Sequence, residues 1–263
     1  AGARRLDAAV AWDALVVLVG STLLVAHVFA FNDWADESLD RLAAPKRRSA
    51  FALSGLARGE LLAFSVLLAV AGIGVLTWWL GLRALFAGGV LLTGLLYSHP
   101  LPYGKARPVL SSALHLSGQV CQLLMGYSAT AAPDLDGLLL GVYFGVVFVA
   151  GHLAQEARDY AGDRAAGVRT NAVVFGRRAA MIASFVGFTA SFALLVLLAL
   201  GGVLPPATIG LVALYVPYVA AWVATVRRPL DHGRVRRLQL AYRAVFALVG
   251  VGIVFQLLCA KAG

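Results

Sequence analysis

The sequence predicts an all-α integral membrane protein built as a multi-span helical bundle, and its composition is the first reason. Hydrophobic residues make up 60% of the 263 residues, and only 13% are charged. A soluble domain carries about twice that charged fraction. A soluble fold of this length could not bury so much apolar surface. The composition therefore excludes a typical soluble enzyme, a disordered chain and a disulfide-stapled secreted module.

Eight apolar runs, most of them close to the roughly 20 residues that cross a membrane, are the second reason. They cover, approximately, residues 8–31, 60–80, 83–97, 109–131, 137–156, 178–200, 206–226 and 238–260. The third run is short and follows the second through a tight turn at Gly81-Leu82-Arg83. Proline and glycine mark most of the other breaks, as turns require. One transmembrane domain, residues 1–263, accounts for the whole chain.

The distribution of the cations predicts how the bundle is oriented. The net charge is +9, and the loops after the first, third, fifth and seventh runs, together with Arg243, hold 18 of the 22 lysines and arginines. The positive-inside rule places this crowded face in the cytoplasm. Attraction to an anionic leaflet then explains the basic charge, and we expect no nucleic-acid partner.

Most of the acidic residues fall in two segments of the same face, and the two segments share one template. An amide residue is followed by aspartates at +4 and +8, in the sets Asn32, Asp36, Asp40 and Gln155, Asp159, Asp163. Steps of four stack side chains on one face of a helix. The copies follow runs one and five. This spacing predicts two pseudo-repeated four-helix halves whose carboxylate ladders face each other.

Carboxylates stacked near a low-dielectric membrane core repel one another, so a cation should offset the cost. Mg²⁺ suits such oxygen ligands and completes its shell with water and phosphate oxygens. Two ladders would thus hold Mg²⁺ ions that grip a diphosphate. The alternative is a pair of solvated helix ends whose acids pair with nearby arginines.

Cations near both ladders are suited to bind the diphosphate as well. The candidates are Lys46, Arg47 and Arg48 after the first ladder, Lys105 in the third loop, and Arg158 and Arg164 at the second ladder. The positive-inside rule by itself also predicts cations on this face, so a cation here need not bind the diphosphate. Lys105 stands out because it lies in a proline-rich loop beside the ladders.

These motifs resemble those of the UbiA superfamily of intramembrane prenyltransferases. Asn32, Asp36 and Asp40 match its N-x-x-x-D-x-x-x-D motif, and Asp159 and Asp163 match its D-x-x-x-D motif. The segments 163–170 and 54–55 are also similar, and the resemblance covers nearly the whole chain. It implies a helical bundle with a central cavity, two Mg²⁺ ions, and a prenyl diphosphate whose tail runs into the membrane.

The chain departs from the family pattern in three places. The family usually has nine spans, so the eight runs suggest that its first span is absent here, which would also explain Arg4 and Arg5. The Tyr-x-x-x-Lys of the third loop is not reproduced, because Tyr97 lies eight residues before Lys105 and Tyr103 two before it. Tyr97 and Lys105 stay candidates for diphosphate contact. No proline follows the first basic cluster, so it stays open which of its three cations contacts the diphosphate.

The resemblance implies Mg²⁺-dependent transfer of a prenyl group to a lipophilic or aromatic acceptor through an allylic carbocation. Asp36, Asp159 and Lys105 would be the catalytic residues, and Asn32 would orient a ligand carboxylate or a metal-bound water. No obligate protein partner is indicated. One alternative is a terpene cyclase that ionises the same substrate. Another is a transporter, although Asp13 is the one acid well inside a run and a transporter would place charges near the midplane.

Polar residues inside the runs indicate where the acceptor would bind. His115, Gln119 and Gln122 form one stripe of the fourth run, His152 lies one turn from the second ladder, and His27 lies near the first. Polar groups at this depth usually face the bundle interior. They would either hydrogen-bond between helices or line the cavity that holds the acceptor.

Overall fold

All regular structure described by the computed structural model is helical. The model describes residues 8–40, 55–100 and 103–262, with side chains for all of them except 8, 9, 38–40, 261 and 262. The α-helices in these ranges are Ala8–Asp40 (α1), Arg58–Leu80 (α2), Leu85–Ser98 (α3), Leu110–Tyr127 (α4), Leu135–Ala165 (α5), Asn171–Phe175 (α6), Arg177–Leu200 (α7), Tyr215–Val226 (α8) and His232–Ala262 (α9). Short 3₁₀ helices cover Gly81–Ala84, Gly104–Ala106 and Pro206–Leu214.

The helices coincide with the eight predicted runs and confirm the fold class. Six helical segments of the described chain are long and apolar enough to cross a membrane. One of these, Arg58–Ser98, contains both the second and the third run. The fourth run forms α4 but is not among the six, because its histidine and two glutamines lower its mean hydropathy. Large apolar side chains such as Val70 and Leu200 remain exposed on the outside of the bundle, where lipid would cover them.

The turn between α2 and α3 reverses the chain within four residues. Gly81 adopts a φ of 58°, which glycine accepts without a steric cost. The start of α2 lies beside the end of α1, since Arg58 pairs with Glu37 at 3.7 Å. The end of α3 lies there as well, since the Ser98 hydroxyl donates to Asn32 at 3.2 Å. The C-terminal end of the short α3 therefore lies beside the first motif.

Two separate hydrophobic cores divide the helices into the same groups as the predicted halves. One core joins α1 to α4 through residues such as Leu24, Leu76 and Met125. The other joins α5, α7, α8 and α9 through residues such as Phe188 and Tyr218. The symmetry between the halves and the central cavity stay predictions.

Helices α4 and α5 join the two groups by close packing of small residues. A Cβ atom on Gly145 would lie 2.6 Å from a methyl carbon of Leu116 and 3.3 Å from its carbonyl oxygen, so a larger residue would require Leu116 to shift. Asp134 caps the start of α5, because its carboxylate accepts a hydrogen bond from the Gly137 N–H at 2.9 Å. That hydrogen bond lowers the pKa of Asp134, with a further contribution from the Tyr127 hydroxyl. Capped at one end, α5 runs for 31 residues and carries the second motif at its other end.

Candidate active site

The first motif centres on Asp36, a fully buried carboxylate near the end of α1. The Asn32 amide, one turn earlier, donates to its Oδ2 atom at 3.3 Å. The Tyr103 hydroxyl donates to Oδ1 at 3.3 Å. The Lys105 ammonium forms an ion pair with Oδ2. A buried carboxylate needs such partners, and here one of them is the cation that the sequence singled out.

The loop that carries Tyr103 and Lys105 is seated tightly on the bundle. Gly104 lies so close to α3 that a Cβ atom there would be 2.6 Å from the Leu96 carbonyl oxygen. Tyr103 precedes it in the left-handed region, with a φ of 48°. The N–H of Val109, at the end of the loop, donates to the Asn171 side chain at 2.7 Å. The loop therefore presents two side chains to Asp36 from a backbone fixed at several points.

The second motif also pairs a carboxylate with a cation. The Arg158 guanidinium donates to both oxygens of Asp159, at 2.9 and 2.6 Å. A third nitrogen of Arg158 donates to Gln239 on α9 at 2.5 Å. The Nδ1 atom of His232, at the start of α9, lies 3.8 Å from Asp159. Helix α9 thereby closes one side of the second motif.

Tyr97 lies on α3 between the helices that carry the two motifs. Its ring meets His115 at 4.6 Å and His152 on α5 at 6.1 Å, and the adjacent Ser98 donates to Asn32 on α1. Asp163 is buried at 9% exposure. The structure instead places Arg164 at the exposed surface, where it donates to Tyr160.

A buried glutamate that the sequence analysis did not single out links three helices behind the motifs. The Oε1 atom of Glu156 lies 3.0 Å from His152 Nε2 and accepts a hydrogen bond from the Asn171 amide at 3.1 Å. The backbone N–H of Ala172 donates to its other oxygen at 3.2 Å. The Ser111 hydroxyl lies 3.4 Å away on α4. Glu156 is the residue three before Asp159, so its position within the acidic segment was the available signal.

The predicted acceptor residues fall into two places. His115 stacks on His152 with ring centroids 3.8 Å apart, and Tyr97 meets His115 edge-on at 4.6 Å. These rings lie beside the motifs. His27 instead bonds to Ser65 on α2 at 2.8 Å and thus joins two helices, which agrees with the alternative of an interhelical hydrogen bond.

Gln119 and Gln122 continue the stripe from His115 along α4, away from the end of the bundle that carries the motifs. Ala113 and Ser117, on the other side of α4, are exposed, so the stripe points into the bundle. The Oε1 atom of Gln122 is buried and has no hydrogen-bond partner among the described residues. An oxygen of this kind is suited to a polar ligand or a water molecule.

The side chains of the two motifs are chemically suited to bind Mg²⁺. Asn32, Asp36, Asp159 and Asp163 offer only hard oxygen atoms. Among the described side chains, no group of three or more acids, histidines or cysteines lies close enough to hold a metal ion by itself. Mg²⁺ commonly takes only one or two carboxylates and fills its shell with water and substrate phosphate. The side chain of Asp40 is not described. The basic cluster of Lys46, Arg47 and Arg48 also lies outside the described residues.

Comparison with known proteins decides the family. A model of the UbiA prenyltransferase family matches residues 3–241. The chain belongs to this family. The resemblance noted in its motifs is thereby confirmed, and the motif helices α1 and α5 of this UbiA protein lie inside the matched range.

Solved structures of UbiA proteins share the fold. The apo UbiA homologue from Aeropyrum pernix K1 superimposes with a TM-score of 0.72 at 18% identity, over 96% of this chain and 91% of that one. A UbiA homologue from Archaeoglobus fulgidus bound to GPP and Mg²⁺ gives a TM-score of 0.68 at 17% identity, over 92% and 88% of the two chains.

A curated relative of this UbiA chain is the digeranylgeranylglyceryl phosphate synthase of Halobacterium salinarum. The two sequences are 35% identical over 172 residues, which is 64% of this chain and 59% of the relative. The chain therefore spans somewhat over half the length of the curated relative that it matches.

Proposed function

We propose that this UbiA protein transfers a prenyl group from a prenyl diphosphate to a lipophilic acceptor within the membrane. The observation that carries the proposal is that α3 lies between the helices of the two carboxylate motifs, since Ser98 donates to Asn32 on α1 and the adjacent Tyr97 meets His152 on α5 at 6.1 Å. Each motif holds a cation beside a carboxylate, Lys105 at Asp36 and Arg158 at Asp159. A diphosphate fits between such groups because its oxygens accept from cations and bind Mg²⁺. The concentration of cations at this end of the bundle favours the cytoplasm as its location.

Mg²⁺ would be held by residues from both motifs, namely Asn32 and Asp36 from the first and Asp159 and Asp163 from the second. When bound, Mg²⁺ withdraws electron density from the diphosphate and so makes it a better leaving group. The Archaeoglobus homologue with the same fold was solved bound to GPP and Mg²⁺, which supports a prenyl diphosphate with Mg²⁺ as the ligand of this site.

Lys105 and Tyr103 are placed to stabilise the departing diphosphate. Breaking the C1–O bond leaves the electron pair on the diphosphate and an allylic cation on the prenyl chain. Lys105 supplies a positive charge and Tyr103 a hydroxyl donor, both already aimed at Asp36. Donors fixed in place before the reaction stabilise developing charge without reorganising. The acceptor then bonds to C1 and loses one proton, which balances the charge of the released diphosphate.

His115 is the residue proposed to orient the acceptor. Its Nδ1 atom lies 2.9 Å from the Ser111 carbonyl oxygen, and a carbonyl can only accept, so Nδ1 carries the proton. The Nε2 atom is left as a hydrogen-bond acceptor, suited to a hydroxyl group of the second substrate. The Halobacterium relative makes a glyceryl phosphate that carries prenyl groups, which supports a lipid alcohol as this acceptor.

Replacing His115 by alanine is expected to raise the KM for the acceptor about fivefold to tenfold, because one hydrogen bond is lost. The KM for the prenyl diphosphate should change less than about twofold. Steady-state kinetics with each substrate varied in turn measures both constants. Ser117→Ala, on the exposed side of the same helix, is the matched control. Equal rises in both constants would contradict the role given to His115.

The decisive test of the function uses purified protein, prenyl diphosphates of graded length and Mg²⁺, with and without membrane lipid extract. We expect diphosphate release that stops in excess chelator, and a prenylated product only when the extract supplies an acceptor. Full turnover in chelator would refute the metal assignment. A cyclised hydrocarbon formed at the same rate without extract would identify a terpene cyclase instead.

A further inference from the structure

A basic pocket opens between α8 and α9 at the end of the bundle that carries the motifs. Its volume is 490 Å³. Four arginines line it, namely Arg227, Arg228, Arg234 and Arg237. The pocket is separate from the candidate active site, because none of the residues assigned to that site lines it.

The positive charge of the pocket is poorly balanced by the protein. Asp231 is the nearby carboxylate, and it pairs with Arg234 at 3.3 Å. Arg227 and Arg228 form no ion pair within the described part of the chain. Arginines clustered in this way repel one another unless an anion joins them. Their planar guanidinium groups are matched in geometry to phosphate.

The inner wall of the pocket is apolar and lies deeper in the bundle than the arginines. Ala221 and Ala224 precede Arg227 by two turns and one turn of α8, and Ala241 follows Arg237 by one turn of α9. Small side chains on both helices leave a groove that leads from the charged rim into the membrane-spanning part. A free anion needs only the rim, whereas an amphiphile would use both surfaces.

We propose that this pocket binds the phosphate headgroup of an anionic membrane lipid, with a chain of the lipid along the alanine groove. Basic pockets between transmembrane helices are known places for anionic headgroups. The proposal does not depend on the enzymatic activity of the protein. It concerns α9, which contacts the second motif through His232 and Gln239 on another side of the helix.

The test compares lipids that differ only in charge. Native mass spectrometry of the detergent-purified protein, titrated with phosphatidylglycerol or phosphatidylcholine of the same chains, gives the two affinities. We expect the anionic lipid to bind at least about fivefold more tightly. The double variant R228A/R237A should lower that affinity about tenfold, because two phosphate contacts are lost. The charge-matched control R178A/R236A, with exposed arginines outside the pocket, should change it less than about twofold.

Three outcomes would overturn the proposal. Equal affinity for the two lipids would show that the pocket does not read charge. Equal losses in both double variants would show diffuse attraction to the basic face rather than a site. Displacement of the lipid by millimolar inorganic phosphate would identify a site for free anions. The variant R228K/R237K, which keeps the charge, should retain most of the binding and so exclude misfolding as the cause of a loss.

Discussion

Asn in place of Asp36 is expected to lower the kcat of prenyl transfer by about a thousandfold or more. The substitution keeps the size of the side chain but removes the charge that pairs with Lys105 and that would bind Mg²⁺. Asp36 is fully buried, so its carboxylate is held among the partners that fix its position. Release of diphosphate under saturating substrate, with added acceptor, measures the loss.

Glu37→Gln is the matched control for this prediction, since it removes one negative charge from the next residue of the same helix. Glu37 pairs with Arg58 on α2 at 3.7 Å, and Arg58 is not one of the proposed site residues. Its kcat should stay within about twofold of the unmodified protein. Thermal unfolding of both variants distinguishes a catalytic loss from misfolding. A D36N protein that turns over within tenfold of the unmodified enzyme would remove Asp36 from the mechanism.

The second large effect concerns stability and arises from the network around Glu156. Replacing Asn171 by alanine is expected to lower the free energy of unfolding by about 3 kcal/mol. The change removes a donor from the buried Glu156 carboxylate, with an N–O distance of 3.1 Å. It also leaves the Val109 N–H without its 2.7 Å partner. Titration with a denaturing detergent, followed by the helical circular dichroism signal, measures the difference.

Ser112→Ala is the control within the same network. The Ser112 hydroxyl accepts only the longer bond from Asn171, at 3.3 Å, and its loss should cost no more than about 1 kcal/mol. If the Asn171→Ala protein unfolds at the same detergent fraction as the Ser112→Ala protein, the buried carboxylate does not depend on this amide.

The parts of the site that follow the period of a single helix could be predicted from the sequence. Asn32 and Asp36 lie one turn apart, and the structure joins them by a hydrogen bond. Lys105 was predicted from its place in a rigid loop, although the spacing of the family motif was absent. The structure places the Lys105 ammonium beside Asp36 without that spacing. A loop can present the same charge from a different position if its backbone is fixed elsewhere.

The contacts between distant segments could not be predicted. Asn171 lies on a five-residue helix, too short to show a periodic pattern, and it meets Glu156 only because the chain turns back after α5. The contact of Tyr103 with Asp36 depends on a left-handed backbone at a residue other than glycine, which is rare and leaves no signal in the sequence. The sequence left two roles open for His27, and the bond of its ring to Ser65 on α2 agrees with the interhelical one.

The seating of Gly104 against the Leu96 carbonyl affects how the enzyme uses binding energy. Because the Tyr103–Val109 segment is already held at both ends in the free protein, substrate capture requires little loss of conformational entropy there. In the proposed mechanism the incoming diphosphate would take the place of Asp36 as the partner of Lys105, with no mobile loop to order. More of the interaction energy would then remain for cleaving the allylic bond. The absence of a side chain at Gly104 would in this way contribute to the preorganisation of the site.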